Sequence, residues 1–203
     1  MEHKAISVTF GRFNPITTGH KKLVDTVKEH AKKNGHDHMI FMSSSHDSKK
    51  NPLTHAQKVH FIHKMLPGTN VHEKEDVKNP LHMLAHLHKK GYNKVHVLVG
   101  GDRVHEINNL VQKYNGVKDK HGHGYHFHHL EVKSAGERDP DSEGVDGMSA
   151  SKMREHAKNK KFSEFAKGVP NKAHARDLYK ATRKGLHLES VTMRYFKRFY
   201  LNG

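Results

Sequence analysis

The stretch Gly11-Arg12-Phe13-Asn14-Pro15-Ile16-Thr17-Thr18-Gly19-His20 joins two segments of contrasting pattern. Residues 4–10 form an apolar run that predicts the first strand, whereas residues 19–33 carry apolar side chains at helical spacing and predict the first helix. Open α/β sheets bind ligands at such junctions, because the start of a helix offers free backbone amides to an anion. This stretch therefore predicts a class of fold and the place of a site.

The rest of the chain continues the alternation of short apolar runs and amphipathic segments. Further strands are predicted at 38–42, 71–75, 95–99 and 125–132, and helices at 54–66, 80–90, after 103 up to about 114, from about 149, and twice between 162 and 186. The pattern predicts an α/β fold with a doubly wound, Rossmann-like parallel sheet and a helical C-terminal extension. We place one domain at residues 1–168 and a basic helical extension at 169–203.

The composition favours a polyanionic partner. The chain has 203 residues and a formal charge of +15, with 23 further histidines. It has no cysteine, which excludes disulfides and thiolate chemistry. No apolar stretch is long enough to span a bilayer, and the start lacks a signal-peptide core, so we expect no membrane partner and a cytoplasmic location.

The first motif resembles the signature of the nucleotidyltransferase superfamily, in which H-x-G-H or T-x-G-H follows the first strand. Thr17 stands where many adenylyltransferases have the first histidine. The resemblance implies transfer of a nucleoside monophosphate from a triphosphate, with Thr17 and His20 stabilising the α-phosphate. The alternative without a catalytic role is a glycine-containing turn with an incidental histidine. The nucleotide-binding residues predicted around this motif are Phe10, Gly11, Phe13, Gly19 and His20.

A second motif, Gly147-Met148-Ser149-Ala150-Ser151-Lys152-Met153-Arg154, opens a late helix. Hydroxyls and cations at the positive end of a helix dipole suit a triphosphate. The motif looks like the superfamily's I-S-S-T-x-x-R element, which implies that Ser149 and Ser151 bind nucleotide and that Lys152 and Arg154 hold the departing pyrophosphate. Ser149 is equally a routine helix N-cap.

Two further segments bear on the ligands. Gly100 and Asp102 follow a buried strand, where the superfamily places a G-x-D-like turn beside the nucleotide; Asp102 either contacts ribose, acceptor phosphate or Mg²⁺, or caps the next helix. Residues 51–58 are similar to the N-P-F-T-x-x-E-R element of archaeal-type nicotinamide mononucleotide adenylyltransferases, with Gln57 and Lys58 replacing the acid and the arginine. The purely structural alternative for residues 51–54 is a loop and a helix cap.

The acidic loop at residues 135–143 is either a solvated turn or a group that cooperates with a cation near the second motif. Together with 147–154 and 175–186 it resembles nucleotidyltransferase domains of large tailed phages, which would place the protein in a host cytoplasm. The histidines at 121–129 invite a metal-binding interpretation, but histidines are spread along the whole chain, so a solvated face or plain composition explains most of them. We assign no metal ligand from the sequence.

The sequence therefore predicts an enzyme that transfers AMP from ATP, with Mg²⁺, to a phosphate-bearing acceptor such as nicotinamide mononucleotide, releasing pyrophosphate. The alternative is a catalytically lapsed domain with a structural or nucleic-acid-binding role, for example in a phage assembly. That alternative draws on the basic, aromatic stretch at 194–200, which could contact nucleic acid or an assembly partner. Homo-oligomerisation stays open.

Overall fold

Parallel strands at the centre of the molecule set the position of every other element. The computed structural model describes residues 4–118, 124–136 and 148–187. Within them the sheet runs β2-β1-β3-β4, with all neighbours parallel: β1 is Ala5–Gly11, β2 Asp37–Met42, β3 Lys94–Val99 and β4 His129–Ser134. From β1 the chain first forms β2 on one side of β1 and later forms β3 on the other side, so the strand order reverses between β1 and β3. The predicted doubly wound α/β fold is confirmed.

Helices cover both faces of this sheet. Their bounds are α1 Thr18–Asn34, α2 His55–Met65, α3 Pro80–Lys89, α4 Val104–Lys113, α5 Ala150–Lys158, α6 Phe162–Lys167 and α7 Ala175–Gly185. Short 3₁₀ turns precede α4 at Gly101–Arg103 and α7 at Lys172–His174. Gly35 ends α1 in the left-handed conformation, as its position after the last periodic residue predicts.

The two faces of the sheet bury two separate apolar clusters. Ile40 and Leu98 point to the side covered by α1, α2 and α5–α7, whereas Phe41 and Val97 point to the side covered by α3 and α4. Neighbouring residues of a strand face opposite ways, so β2 and β3 contribute to both clusters. A sheet buried on both faces explains why β3 reads as a nearly continuous apolar run.

The first cluster also includes much of the predicted C-terminal extension. Val169, Leu178 and Leu186 are buried in it. Helix α7 lies so close to the 51–54 segment that a Cβ on Gly185 would sit 2.6 Å from the carbonyl carbon of Pro52. Residues 169–187 thus pack directly on the domain. The basic stretch at 194–200 lies outside the described residues.

Two strand predictions are wrong in extent. At 71–75 only a single parallel bridge forms, between Val71 and Ile40, because a run of charged residues follows His72 and does not continue the ladder. The strand predicted at 125–132 begins only at His129. The side-chain amide of Asn115 forms two hydrogen bonds with the backbone of Phe127: it donates to the carbonyl at 3.2 Å and accepts from the N–H at 2.9 Å. Because both backbone groups of Phe127 are occupied in this way, Phe127 does not pair with a strand of the sheet.

Among the helices of the described residues, none combines the length and the apolar character needed to cross a membrane.

Candidate active site

A cleft of about 480 Å³ opens at the carboxyl edge of the sheet, where β1 and β3 end. It lies at the reversal of strand order, which is the general ligand site of open α/β sheets. Its walls come from the β1–α1 junction, the turn after β3, the chain after β4 and the start of α5. The predicted residues that line it are Phe10, Gly11, Phe13, Thr17, Gly19, His20, Gly100, Asp102, Ser151 and Arg154.

The β1–α1 junction is held in place by side chains of its own motif. Asn14 forms a reciprocal pair with the backbone of Leu53: its amide donates to the carbonyl at 3.0 Å, and its oxygen accepts from the N–H at 2.9 Å. Phe13 adopts a left-handed backbone conformation, with φ of 48°, and its ring lies 4.6 Å from the ring of His20. Position 11 requires glycine because a Cβ there would lie 2.8 Å from the ring of Phe13.

Thr17 and His20 form a capping box at the start of α1. The backbone N–H of His20 donates to Thr17 Oγ1 at 3.3 Å, and the backbone N–H of Thr17 donates to His20 Nδ1 at 3.1 Å. An imidazole nitrogen that accepts an N–H bond is unprotonated, so the neutral ring carries its proton on Nε2. The T-x-G-H spacing thus caps the helix and also fixes His20 as an Nε2–H donor beside the cleft.

Arg154 is the buried cation of the site. Its side chain donates from Nη1 to the carbonyl of Asn14 at 2.8 Å and from Nη2 to Ser151 Oγ at 3.0 Å, and the residue is only 9% exposed. Burial lowers the pKa of Arg154, and the nearby Arg12 guanidinium lowers it further. Two guanidiniums close enough to repel each other favour an anion between or beside them.

Cations dominate the described lining of the cleft, where Asp102 is the single carboxylate. The cationic residues are Arg12, Lys22, Lys50, Arg103 and Arg154. Lys50 is placed there by a turn in which Asp47 Oδ1 accepts the backbone N–H groups of Lys49 at 2.8 Å and Lys50 at 2.7 Å. These hydrogen bonds hold the pKa of Asp47 well below its usual range. The cleft is therefore suited to a polyphosphate.

Two predicted residues, Ser149 and Lys152, are not among those that line the cleft. The hydroxyl of Ser149 caps α5 by accepting the backbone N–H of Lys152 at 3.1 Å, and the Lys152 side chain is exposed. Sequence reasoning in turn missed four cations, Arg12, Lys22, Lys50 and Arg103. Arg12 stands inside the first motif and Arg103 directly follows Asp102, so the sequence offered a signal for both, whereas nothing in the local pattern singles out Lys50.

The segment that resembles an acceptor element is built as a second capping box. Thr54 Oγ1 accepts the N–H of Gln57 at 3.3 Å, and Gln57 Oε1 accepts the N–H of Thr54 at 2.9 Å. Lys58 is 1% exposed and donates to the carbonyl of Ser43, just beyond β2. Residues 51–58 thus secure α2 and the end of β2, and they contact the β1–α1 junction through Leu53.

Burial lowers the pKa of Lys58 to about 8, with Glu75 opposing the shift. Below pH 8 Lys58 is charged in both the folded and the unfolded state, so burial of the ammonium lowers the free energy of unfolding by its full amount. This destabilisation decreases as the pH rises from 8 towards 10.5, the ordinary pKa of lysine, because the folded state then buries a neutral amine. We expect Lys58→Met to stabilise the protein at pH 7 by about 2 kcal/mol, after allowing for the lost hydrogen bond. The gain should shrink between pH 8 and pH 10.5, as measured by urea unfolding at pH 7 and pH 10.

Lys64→Met on the exposed side of α2 is the matched control, and it should not reproduce the stabilisation at pH 7. An equal gain for Lys58→Met at both pH values would mean that the Lys58 ammonium is not destabilised by burial.

Comparison with known proteins places this architecture in a family. The family model described as Cytidylyltransferase-like matches residues 8–156, which is well over half of the chain. The chain belongs to the cytidylyltransferase-like family. The matched range starts inside β1 and ends inside α5, so it contains both motifs and every predicted site residue. The family is one of nucleotidyltransferases, which agrees with the superfamily resemblance of the motifs.

Solved structures and curated proteins add little to the family assignment. One similar solved structure is Thermotoga maritima TmcAL bound with alpha-thio ATP, at 12% identity and a TM-score of 0.47. The match covers 91% of this chain and 56% of the TmcAL chain. Comparison with curated proteins gave no match.

Proposed function

We propose that this cytidylyltransferase-like protein is an adenylyltransferase that transfers AMP from ATP to a phosphate-bearing acceptor, such as nicotinamide mononucleotide, and releases pyrophosphate. The observation that carries the proposal is the convergence of His20 and Arg154 on one cationic cleft, although they are separated by 134 residues and come from the two motifs. Among the described residues, the lining of the cleft has one carboxylate and several cations, which favours a triphosphate over an uncharged ligand.

In this proposal the triphosphate lies between the start of α1 and the buried side of α5. The Nε2–H of His20 donates to an oxygen of the α-phosphate, where negative charge increases as the new bond forms. Arg154 and Arg12 bind the β- and γ-phosphates and stabilise the departing pyrophosphate. A phosphate oxygen of the acceptor attacks the α-phosphorus in line, the bond to the bridging oxygen breaks, and no protein nucleophile takes part.

The described lining also fits a magnesium ion that arrives with the triphosphate. Mg²⁺ in such sites is held by one or two carboxylates together with substrate phosphates and water. Asp102 is exposed, lines the cleft, and is the single described carboxylate that does so. Asp102 would hold such an ion at the carboxyl edge of β3, and the ion would neutralise phosphate charge.

The experiment that tests the proposed function measures pyrophosphate release. The protein is incubated with Mg²⁺, each nucleoside triphosphate in turn, and a panel of acceptors that includes nicotinamide mononucleotide and other phosphate monoesters. We expect release with ATP and one acceptor class, together with a dinucleotide-type product seen by mass spectrometry. Absence of release with every pair would contradict the proposal and favour the lapsed, structural alternative.

A further inference from the structure

Three metal-ligating side chains meet on the α3 side of the sheet, away from the cleft. They are His72, which follows the single bridge to β2, Asp76 four residues later, and His86 on α3. Each offers one donor atom, and these atoms lie within 4.8 Å of one another. None of the three lines the cleft, and the proposed transfer uses none of them.

The backbone and a neighbouring ring position the two imidazoles before any ligand arrives. The N–H of His72 donates to the carbonyl of Ile40 at 2.9 Å, which fixes His72 to the edge of the sheet. The ring of Phe41 stacks on His72 at 5.0 Å and meets the edge of His86 at 6.0 Å. The two imidazole centroids are 4.5 Å apart. A small contraction, rather than a rearrangement, would bring both nitrogens to one ion.

The carboxylate of Asp76 is the third donor and lies on the solvent side of the two imidazoles. Asp76 Oδ1 lies 2.5 Å from His72 Nε2, and its side chain is 53% exposed. Tetrahedral coordination at ordinary zinc distances separates donor atoms by about 3.4 Å, so an entering ion would replace this hydrogen bond. The exposed aspartate can move outward by the difference of about 0.9 Å, whereas the buried His72 cannot.

The donor set and its surroundings favour a transition metal. Two imidazoles and one carboxylate suit Zn²⁺ and its first-row neighbours, while Mg²⁺ and Ca²⁺ prefer oxygen alone. Glu73, Glu75 and Asp76 outnumber Lys74 and Lys78 on the segment 72–78, so this segment is weakly acidic in a chain of formal charge +15.

A second cluster of His96, His129 and Glu131 has a similar donor set. There, however, the ammonium of Lys133 lies 3.3 Å from Glu131 Oε2 and already occupies the place of a cation.

We propose that His72, Asp76 and His86 form a Zn²⁺ site that ties the segment between α2 and α3, where it lies beside β2, to α3 itself, with water completing the coordination. The site is independent of nucleotide transfer and stabilises the folded chain. Metal bound only to the native state raises its stability by mass action. The zinc effect should therefore appear in unfolding as well as in binding.

The test is a metal titration of the full-length protein after dialysis against a chelator. We expect one equivalent of Co²⁺ to give the intense visible absorption of tetrahedral coordination, Zn²⁺ to displace it, and Mg²⁺ to leave it unchanged. Asp76→Asn and His86→Gln should each weaken Zn²⁺ binding at least about tenfold. Zn²⁺ should raise the melting temperature of the parent and have a smaller effect on both variants.

Two control variants separate this site from the other histidines. His82→Gln changes an exposed histidine on the same helix, and Glu131→Gln changes the second cluster; both should bind Zn²⁺ like the parent. Melting curves without metal establish that all four variants fold. Absence of a stoichiometric Co²⁺ spectrum in the parent would overturn the proposal. Binding that survives both Asp76→Asn and His86→Gln, or that is lost equally in Glu131→Gln, would overturn it as well.

Discussion

Replacement of His20 by alanine is expected to lower kcat for pyrophosphate release about 10²- to 10³-fold, the usual effect of removing one donor to a developing anion. The reason is that, in the proposed transfer, the Nε2–H of His20 donates to an oxygen whose negative charge grows. Because the interaction strengthens in the transition state, kcat should fall more than KM for the triphosphate rises. Steady-state kinetics with ATP and the preferred acceptor give both values.

His20 also accepts the N–H of Thr17 within the capping box, so alanine alone would mix catalysis with helix capping. His20→Gln separates them. The chain already contains a Thr-x-x-Gln box at α2, where Gln57 accepts the N–H of Thr54 at 2.9 Å. Glutamine at position 20 should therefore restore the stability lost in His20→Ala, about 1 kcal/mol, while activity stays low. Full activity of His20→Gln would show that position 20 needs only a capping acceptor.

The sequence was sufficient for the features that depend on neighbouring residues. The apolar run of β1, the T-x-G-H spacing and the helical periodicity after it lie within 30 residues, and local pattern alone predicted their structure. The same holds for the strand 95–99, whose near-continuous apolar character reflects burial on both faces. Order along the chain then predicted the doubly wound sheet, since strands separated by helices become parallel.

The sequence was insufficient where distant residues compete for the same group. Phe127 belongs to an alternating apolar pattern, yet the amide of Asn115 removes it from the sheet. Ser149 and Ser151 look equivalent in the second motif, but the first caps α5 and the second binds the guanidinium of Arg154. Lys50 reaches the cleft only through the turn that Asp47 organises. Each outcome depends on which hydrogen bond forms, and spacing does not encode that choice.

Replacement of Arg154 by alanine is expected to lower kcat/KM for the triphosphate about 10²- to 10³-fold and also to destabilise the fold. The buried carbonyl of Asn14 would lose its charged donor, which costs about 1–3 kcal/mol. Initial rates at varied ATP and urea unfolding measure the two effects. Lys158→Ala, an exposed cation on the same helix, is the control and should change neither by a comparable amount.

Arg154→Lys distinguishes a phosphate-binding role from a structural one. Lysine keeps the charge and can donate to the Asn14 carbonyl, so much of the lost stability should return. It lacks the planar fork with which Arg154 contacts the Asn14 carbonyl and Ser151 together and, in the proposed function, a phosphate as well. Inhibition by added pyrophosphate is the sensitive readout, because it reports binding of the leaving group without the chemical step. We expect this inhibition to weaken at least about tenfold in Arg154→Lys. Unchanged inhibition with recovered stability would mean that Arg154 only ties α5 to the β1–α1 junction, and the pyrophosphate would then have to be held by the exposed Arg12 and its neighbours.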